Sequence, residues 1–571
     1  MKTFYYSTPL QEYDAIVVGT GISGGWAAKE LCEKGLKTLV LERGRMVKHL
    51  EDYPTANMDP WDFEHGGKIT REIRSKTAVQ NRTGGWVNET NHHFFVDDTK
   101  HPYNEERRFD WIRGYQVGGR SLIWGRQSYR LSDIDFEANL KEGIAVDWPV
   151  RYKDIAPWYD HVERFIGVSG EKLGLKQLPD GQFLKPMQLN CVEKHLKESL
   201  GNSYSDRTLT IGRTAHITEG TKPGLRSTCQ YRSRCGRGCP FGGYFSSNSS
   251  TLPVADATGN MTLRPNSIVH EVIYDEQKGK ATGVRVIDTE TKETVEYRAK
   301  LIFLCASSMA STSILLQSKS SRFPEGLGND SGELGHNIMD HHYRIGASGK
   351  IDGFEDMYYK GKRPNGIYIP RFRNLGGKTD RKEFLRGYGY QGGAGRAGYD
   401  GGFVAELHYG KKLKEAILKP GGWSMGLTGF GETLPDHKNR MYLDYDTKDS
   451  WGLPTITFDA EFGANELAMR KDMKQQAAEM LEAGGFKDVS TYDDIGGIGL
   501  GIHEMGTARM GRNPETSVLN KFNQVHAAKN VFVTDGSFMT SSGCQNPSLT
   551  YMAFTARAAN HAVEELKKRN L

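Results

Sequence analysis

Apolar residues fall along this chain in short blocks separated by turns. The first block, Tyr13-Asp14-Ala15-Ile16-Val17-Val18, is β-rich and enters Gly19-Thr20-Gly21-Ile22-Ser23-Gly24. A helical stretch over 25–34 follows, then a second apolar strand, Lys37-Thr38-Leu39-Val40-Leu41, which stops at Glu42. A strand–helix–strand alternation of this kind predicts an α/β arrangement. Residues 261–264, 268–274 and 283–287 read as further strands, and 301–308 as a buried-type strand that enters a helix over 310–317. From about 320 to 490 the pattern turns irregular and rich in Tyr, Gly and charge, with one amphipathic helix over 465–482. A last apolar strand, Val531-Phe532-Val533-Thr534, ends in Asp535-Gly536-Ser537, and a helix follows Asn546-Pro547-Ser548-Leu549-Thr550.

At 571 residues the chain exceeds one simple core, so two intertwined domains are expected. Its 67 glycines show no periodic repeat, which favours an α/β protein with many tight turns over a fibrous one. The net charge of +5 comes from 75 basic and 70 acidic side chains, with no basic stripe and interleaved aromatics, which argues against nucleic acid. No run approaches the roughly 18 apolar residues of a transmembrane helix. Residues 1–7 carry no apolar export signal and no twin-Arg, so the expectation is that this chain does not direct its own export.

Three stretches carry candidate chemistry. In Gly19-x-Gly21-x-x-Gly24, the first glycine permits a tight turn, the second lets a pyrophosphate approach the backbone, and the third lets helix and strand pack closely. Ser23 and the helix N-terminus offer donors to phosphate, and Glu42, 23 positions beyond Gly19, is placed for ribose hydroxyls, with Arg43 beside it. The pattern does not by itself separate NAD from FAD. Far downstream, His503 follows a Gly-rich turn, and Asn546 lies 43 residues on. A neutral imidazole can take the proton of an alcohol as a hydride leaves its carbon, and an amide can bond the same oxygen without competing for the proton. Between these, Cys229, Cys235 and Cys239 stand within eleven residues, among Arg232, Arg234 and Arg237, with Pro240 directly after. A disulfide leaves one thiol over, and zinc lacks a fourth ligand at usual spacing; an iron–sulfur cluster suits a Gly-permissive loop with a trailing Pro.

Arg113-Gly114-Tyr115-Gln116-Val117-Gly118-Gly119-Arg120-Ser121-Leu122-Ile123-Trp124-Gly125 is a second Gly-rich turn entering an apolar segment. With it the chain resembles the glucose–methanol–choline family of FAD-dependent alcohol oxidoreductases. The resemblance implies a discontinuous FAD-binding Rossmann-like domain and a substrate domain on an antiparallel sheet, α/β locally and α+β overall. Residues 1–319 would form the first part, with insertions at about 50–110 and 150–210 and the cysteine segment at 229–240. Residues 320–490 would bind substrate, and 491–571 would return to the flavin. It further implies flavin contacts at Gly118, Gly119, Ser121 and Trp124, at Val269 near the adenine, and at Asp535, Gly536, Pro547 and Ser548. His503 would be the base and Asn546 its partner. Ile123 stands where the pyranose-oxidase branch carries a flavin-linked histidine, which implies non-covalent FAD.

The cysteine segment is similar to that of the catalytic subunits of bacterial FAD-dependent glucose and glucoside 3-dehydrogenases, which implies that Cys229, Cys235 and Cys239 hold a [3Fe–4S] cluster. By that likeness the expected activity is oxidation of a sugar or glycoside secondary alcohol, C3 of glucosides first and glucose C1 second. Expected partners are a small subunit bearing an export signal and a c-type cytochrome, with periplasmic location by co-export and the cytoplasm as the alternative. An oxygen-using pyranose oxidase and a flavin-bearing lyase are the competing readings. Tyr and Trp in 320–490 suit sugar stacking, while His341-His342 read as a packed or surface pair.

Overall fold

The structure, a computed structural model, describes residues 12–358, 363–397, 409–418 and 421–571. The expectation about residues 1–7 therefore falls outside the described residues. Strand β1 (Glu12–Val18) runs into helix α1 (Ile22–Glu33) and strand β2 (Thr38–Leu41). Ala15, Ile16 and Val17 are fully buried, as are Trp26, Ala27 and Leu31 of α1, because layers cover both faces of the sheet. Strands β3 (Met261–Arg264), β4 (Ser267–Asp275), β5 (Lys280–Asp288) and β6 (Thr294–Leu304) come next, then helix α2 (Ser308–Gln317). The strand expected over 301–308 thus stops at Leu304, and Ser307, at φ 84°, makes the turn into the helix.

A parallel core β14–β6–β1–β2–β3 forms once β14 (Ala528–Val533) joins it from the other end of the chain, and β6, β5 and β4 extend it as an antiparallel meander. The last helix, Ser548–Lys567, packs on α1. The two ends of the sequence therefore close one layer structure.

Residues 320–490 are more ordered than their irregular pattern predicts. Strands β7 (His342–Ile351), β8 (Ile367–Ile369), β9 (Tyr388–Arg396), β10 (Trp423–Gly431) and β13 (Lys487–Asp493) form an antiparallel sheet that also recruits Thr210–Ile211. Helix Ala464–Ala483 lies across it, with Met469, Met473, Ala477 and Met480 fully buried. A hairpin of β11 (Arg440–Lys448) and β12 (Pro454–Asp459) joins Asn104–Glu105 in a third, small sheet.

Candidate active site

β1, β2, β6 and β14 finish in register at Val18, Leu41, Leu304 and Val533, so the segments leaving them converge on one edge. That edge opens into a cavity of about 490 Å3, the scale of a ligand cleft. Gly19, Gly21, Ser23, Glu42 and Arg43 line it, as do Gly119, Ser121, Trp124 and Val269, and from the C-terminal segment Asp535, Gly536 and Ser548.

Three of the cofactor contacts expected from the sequence do not line it. A Cβ on Gly24 would stand 2.0 Å from the Gly19 carbonyl oxygen, so its task is helix–strand packing. Gly118, at φ 92°, is pressed against the Asn248 amide. Pro547 precedes the last helix and sets its entry. Gly21 differs from all of these: a Cβ there would meet nothing within 4 Å, because the residue faces the cavity. It also heads α1, which has no side-chain cap, so its first N–H groups are available to an anion.

Glu42 is buried, and its carboxylate accepts the backbone N–H of Thr20 (3.1 Å) and of Gly44 (3.0 Å) and the Thr20 hydroxyl. The Thr20 hydroxyl in turn accepts the Gly118 N–H at 2.9 Å, which ties the two Gly-rich turns together. Burial pushes the Glu42 carboxyl up while these donors pull it down. At the cavity wall, the Arg120 guanidinium grips Glu504 in a two-pronged pair at 3.0 and 2.9 Å. The Tyr551 hydroxyl, buried at the cavity wall, has no hydrogen-bond partner among the described residues.

His503 and Asn546 both line the cavity, with His503 Nε2 3.3 Å from Asn546 Nδ2. Burial, then the neighbouring His341 and Arg120, hold the His503 pKa well below 6.5, so the ring is neutral at pH 7. Two carboxylates fix its loop, Asp110 by accepting the Gly497 N–H at 2.9 Å and Asp340 by accepting more. Asp340 accepts the N–H groups of Gly499 and Gly501 (2.8 Å each), His341 (2.8 Å) and His503 (3.0 Å). Burial and the nearby Glu504 push Asp340 up to about 7 against those donors. Ile502, beside His503, sits at φ 61°, a strained setting for a β-branched residue. Arg126 (φ 62°) and Ser307 (φ 84°) are two further non-glycine cavity residues in this region of backbone space.

The second sheet supplies the remaining wall. Gln391 of β9 donates to Asn546 Oδ1 at 2.6 Å, and the rings of Tyr343 (β7) and Phe430 (β10) stack 5.3 Å apart at 19°. Asp340, His341 and Gln391 were not singled out in the sequence as site residues. His341 is buried, not on the surface, and hydrogen-bonds His503 at 2.9 Å from 162 positions away, a separation at which no spacing rule operates.

Cys229, Cys235 and Cys239 surround a small hollow of about 30 Å3 together with His216 and Tyr244. Cys235 Sγ lies 3.6 Å from His216 Nε2. Among the described residues no group of three or more His, Cys, Asp or Glu is gathered closely enough to hold a metal ion. Burial pushes the Cys229 thiol up to about 11, with Arg126 opposing. Beside them Arg226 is buried, bonds only the carbonyls of Gly242 (3.1 Å) and Ile166 (2.6 Å), and leaves Nη2 without a partner among the described residues. Burial brings that guanidinium down to about 9, and Cys239 resists the shift. A buried cation with no carboxylate partner suits a nearby thiolate, here Cys239, or another anion beside it.

The N-terminal GMC oxidoreductase family model matches residues 13–343 and the C-terminal one residues 435–555. The chain is 28% identical to 2-methyl-1,2-propanediol dehydrogenase of Mycolicibacterium austroafricanum, covering 97% of this chain and 96% of that protein. It is 26% identical to the fructose dehydrogenase large subunit of Gluconobacter japonicus, covering 97% and 98%. To the gluconate 2-dehydrogenase flavoprotein of Pantoea cypripedii it is 25% identical over 98% and 95%. A formate oxidase from Aspergillus oryzae shares the fold, with a TM-score of 0.60 at 16% identity over 99% of this chain and all of that one.

Proposed function

This chain belongs to the GMC oxidoreductase family of alcohol- and sugar-acting enzymes, and from that premise we propose that it is an FAD-dependent dehydrogenase oxidising a secondary alcohol of a sugar or glycoside, C3 of a glucoside first. The observation that carries this reading is a neutral His503 facing, across one cavity, a glycine-lined dinucleotide cradle. The residues present fit FAD: Gly21 leaves open space where a pyrophosphate would lie, α1 presents uncapped N–H groups, and Glu42 stands at the ribose position. FAD bound there would supply the acceptor for the hydride.

His503 Nε2 takes the hydroxyl proton as the carbon–hydrogen bond breaks, and Asn546 Nδ2 donates to the alcohol oxygen. Tyr343, Phe430, Gln391 and Gln127 offer stacking faces and amides to a polyol. The relatives named for fructose and gluconate support a carbohydrate; 2-methyl-1,2-propanediol dehydrogenase keeps small diols in the test.

Cys229, Cys235 and Cys239 would hold a [3Fe–4S] cluster, which supplies one-electron transfer. The uncompensated Arg226 guanidinium supports an anionic group there. Relatives named as a large subunit and a flavoprotein support a multi-subunit enzyme, for which we propose a small export-signal-bearing subunit, a c-type cytochrome acceptor and periplasmic location.

The test is anaerobic turnover with an artificial acceptor and a panel of glucosides, glucose, fructose, gluconate and 2-methyl-1,2-propanediol, with products identified by NMR. A 3-keto-glycoside supports the reading. Oxidation confined to the diol, or to glucose C1, overturns the assigned hydroxyl.

A further inference from the structure

His341 touches no part of the cavity and is 1% exposed, yet its imidazole is wired to the base. Its Nε2 lies 2.6 Å from the Gly543 carbonyl oxygen. A carbonyl oxygen only accepts, so this nitrogen carries the proton. A neutral imidazole has one N–H, so Nδ1 is a bare lone pair. His503 Nδ1 stands 2.9 Å from that lone pair and must donate to it, which leaves His503 Nε2 unprotonated. The amides on the opposite side of the ring are oriented to match. Gln391 donates to Asn546 Oδ1, which turns the Asn546 nitrogen toward His503 Nε2 at 3.3 Å. An amide nitrogen also only donates.

We propose that His341 is a positioning residue that fixes the tautomer of His503, holding its proton on Nδ1 so that Nε2 faces the cavity as the base. The assignment of His503 as base rests on the function proposed above; the tautomer does not. Asp340 contributes by accepting the N–H of both residues on one oxygen, which sets the spacing of the two rings. His341 is neutral because burial brings its pKa to about 4. A neutral acceptor orients the base without the stabilisation of imidazolium that a carboxylate there would bring. The other charged groups nearby are Arg120, Glu504 and Asp340; Arg120 and Glu504 neutralise each other, and the four N–H groups occupy Asp340.

The experiment uses the FAD-loaded full chain labelled with 15N-histidine, its His503 signals assigned by their loss in His503→Gln. At pH 7 the expected signature is a protonated Nδ1 and a bare Nε2. His341→Leu removes the acceptor and should mix the two tautomers, slowing flavin reduction by substrate about 10²-fold, the low end for loss of a general base. His341→Asn places an amide oxygen near the former Nδ1 and should restore both the signature and most of the rate. Protonated Nε2 in the wild type overturns the proposal, as does an unchanged tautomer in folded His341→Leu. If His341→Leu does not fold, loss of the Nδ1–H signature in His341→Asn overturns it instead. The signature is read without substrate, so a failure to oxidise any sugar would count against the proposed function alone.

Discussion

Two glycines three positions apart in the first turn do different physical work, and substitution separates them. Gly24→Ala drives a methyl into the Gly19 carbonyl, an overpacking expected to cost about 1–3 kcal/mol and to lower Tm with or without cofactor. Gly21→Ala meets only open cavity, so the apo-protein should keep its Tm while FAD affinity falls, measured by titration of the stripped protein. For His503, replacement by Ala should slow flavin reduction at least about 10²-fold in anaerobic stopped flow. Its pH dependence has a definite sign. If His503 is the proposed base, it works deprotonated with a folded pKa below 6.5, so activity persists as pH falls past 6.5 and is lost only through that lower value. An acid limb of kcat/KM at or above 6.5 would contradict the buried, neutral ring. Much at this scale was legible, because glycine, histidine and asparagine carry distinct chemistry wherever they fall. His341 was not, since its role follows from a carbonyl 202 positions away.

Among the elements, the loop carrying His503 shows how a rigid site is made from residues without regular structure. Asp340 accepts three of its N–H groups, and Gly501 must be glycine because a Cβ would stand 2.4 Å from Asp340 Oδ1. Asp340→Asn keeps a single acceptor oxygen for four N–H groups, and a loop displaced by an ångström can cost about 10²-fold in rate. Reduction by substrate should therefore fall by about that factor while bound FAD, read from its absorbance, stays near wild type. The parallel strands were readable because both faces are buried and their residues run apolar without alternation. The second, antiparallel sheet was expected from the family resemblance alone, and its strands were not readable in the residue pattern. Strand β9, Tyr-Gly-Tyr-Gln-Gly-Gly-Ala-Gly-Arg, is rich in glycine, which weakens any strand signal. Its shape is set by its neighbours: a Cβ on Gly392 would fall 2.0 Å from the Gly426 carbonyl of β10.

For the whole molecule, the thiol segment and the cofactor turn are adjacent. Residues Gly119–Leu122 contact Cys235–Arg237, and the Tyr244 hydroxyl at the thiol hollow donates to the Leu122 carbonyl at 2.5 Å. If the cluster proposal holds, anaerobically prepared protein contains about three irons per chain. Cys235→Ser should then lose iron and slow delivery to an external acceptor while leaving flavin reduction by substrate intact; stoichiometric zinc would overturn it. The spacing of the cysteines was plain in sequence, but the burial of Arg226 near Cys239 was not, because burial is a property of the fold. One more consequence follows from the way β14 and the last helix close the sheet that β1 opens. During synthesis the dinucleotide turn emerges first, yet its neighbours Asp535 and Ser548 and the His503 loop leave the ribosome late. Cofactor capture is therefore a late event, and a chain arrested before residue 528 should emerge without bound flavin, leaving the nascent N-terminal half dependent on chaperones to shield its open edge.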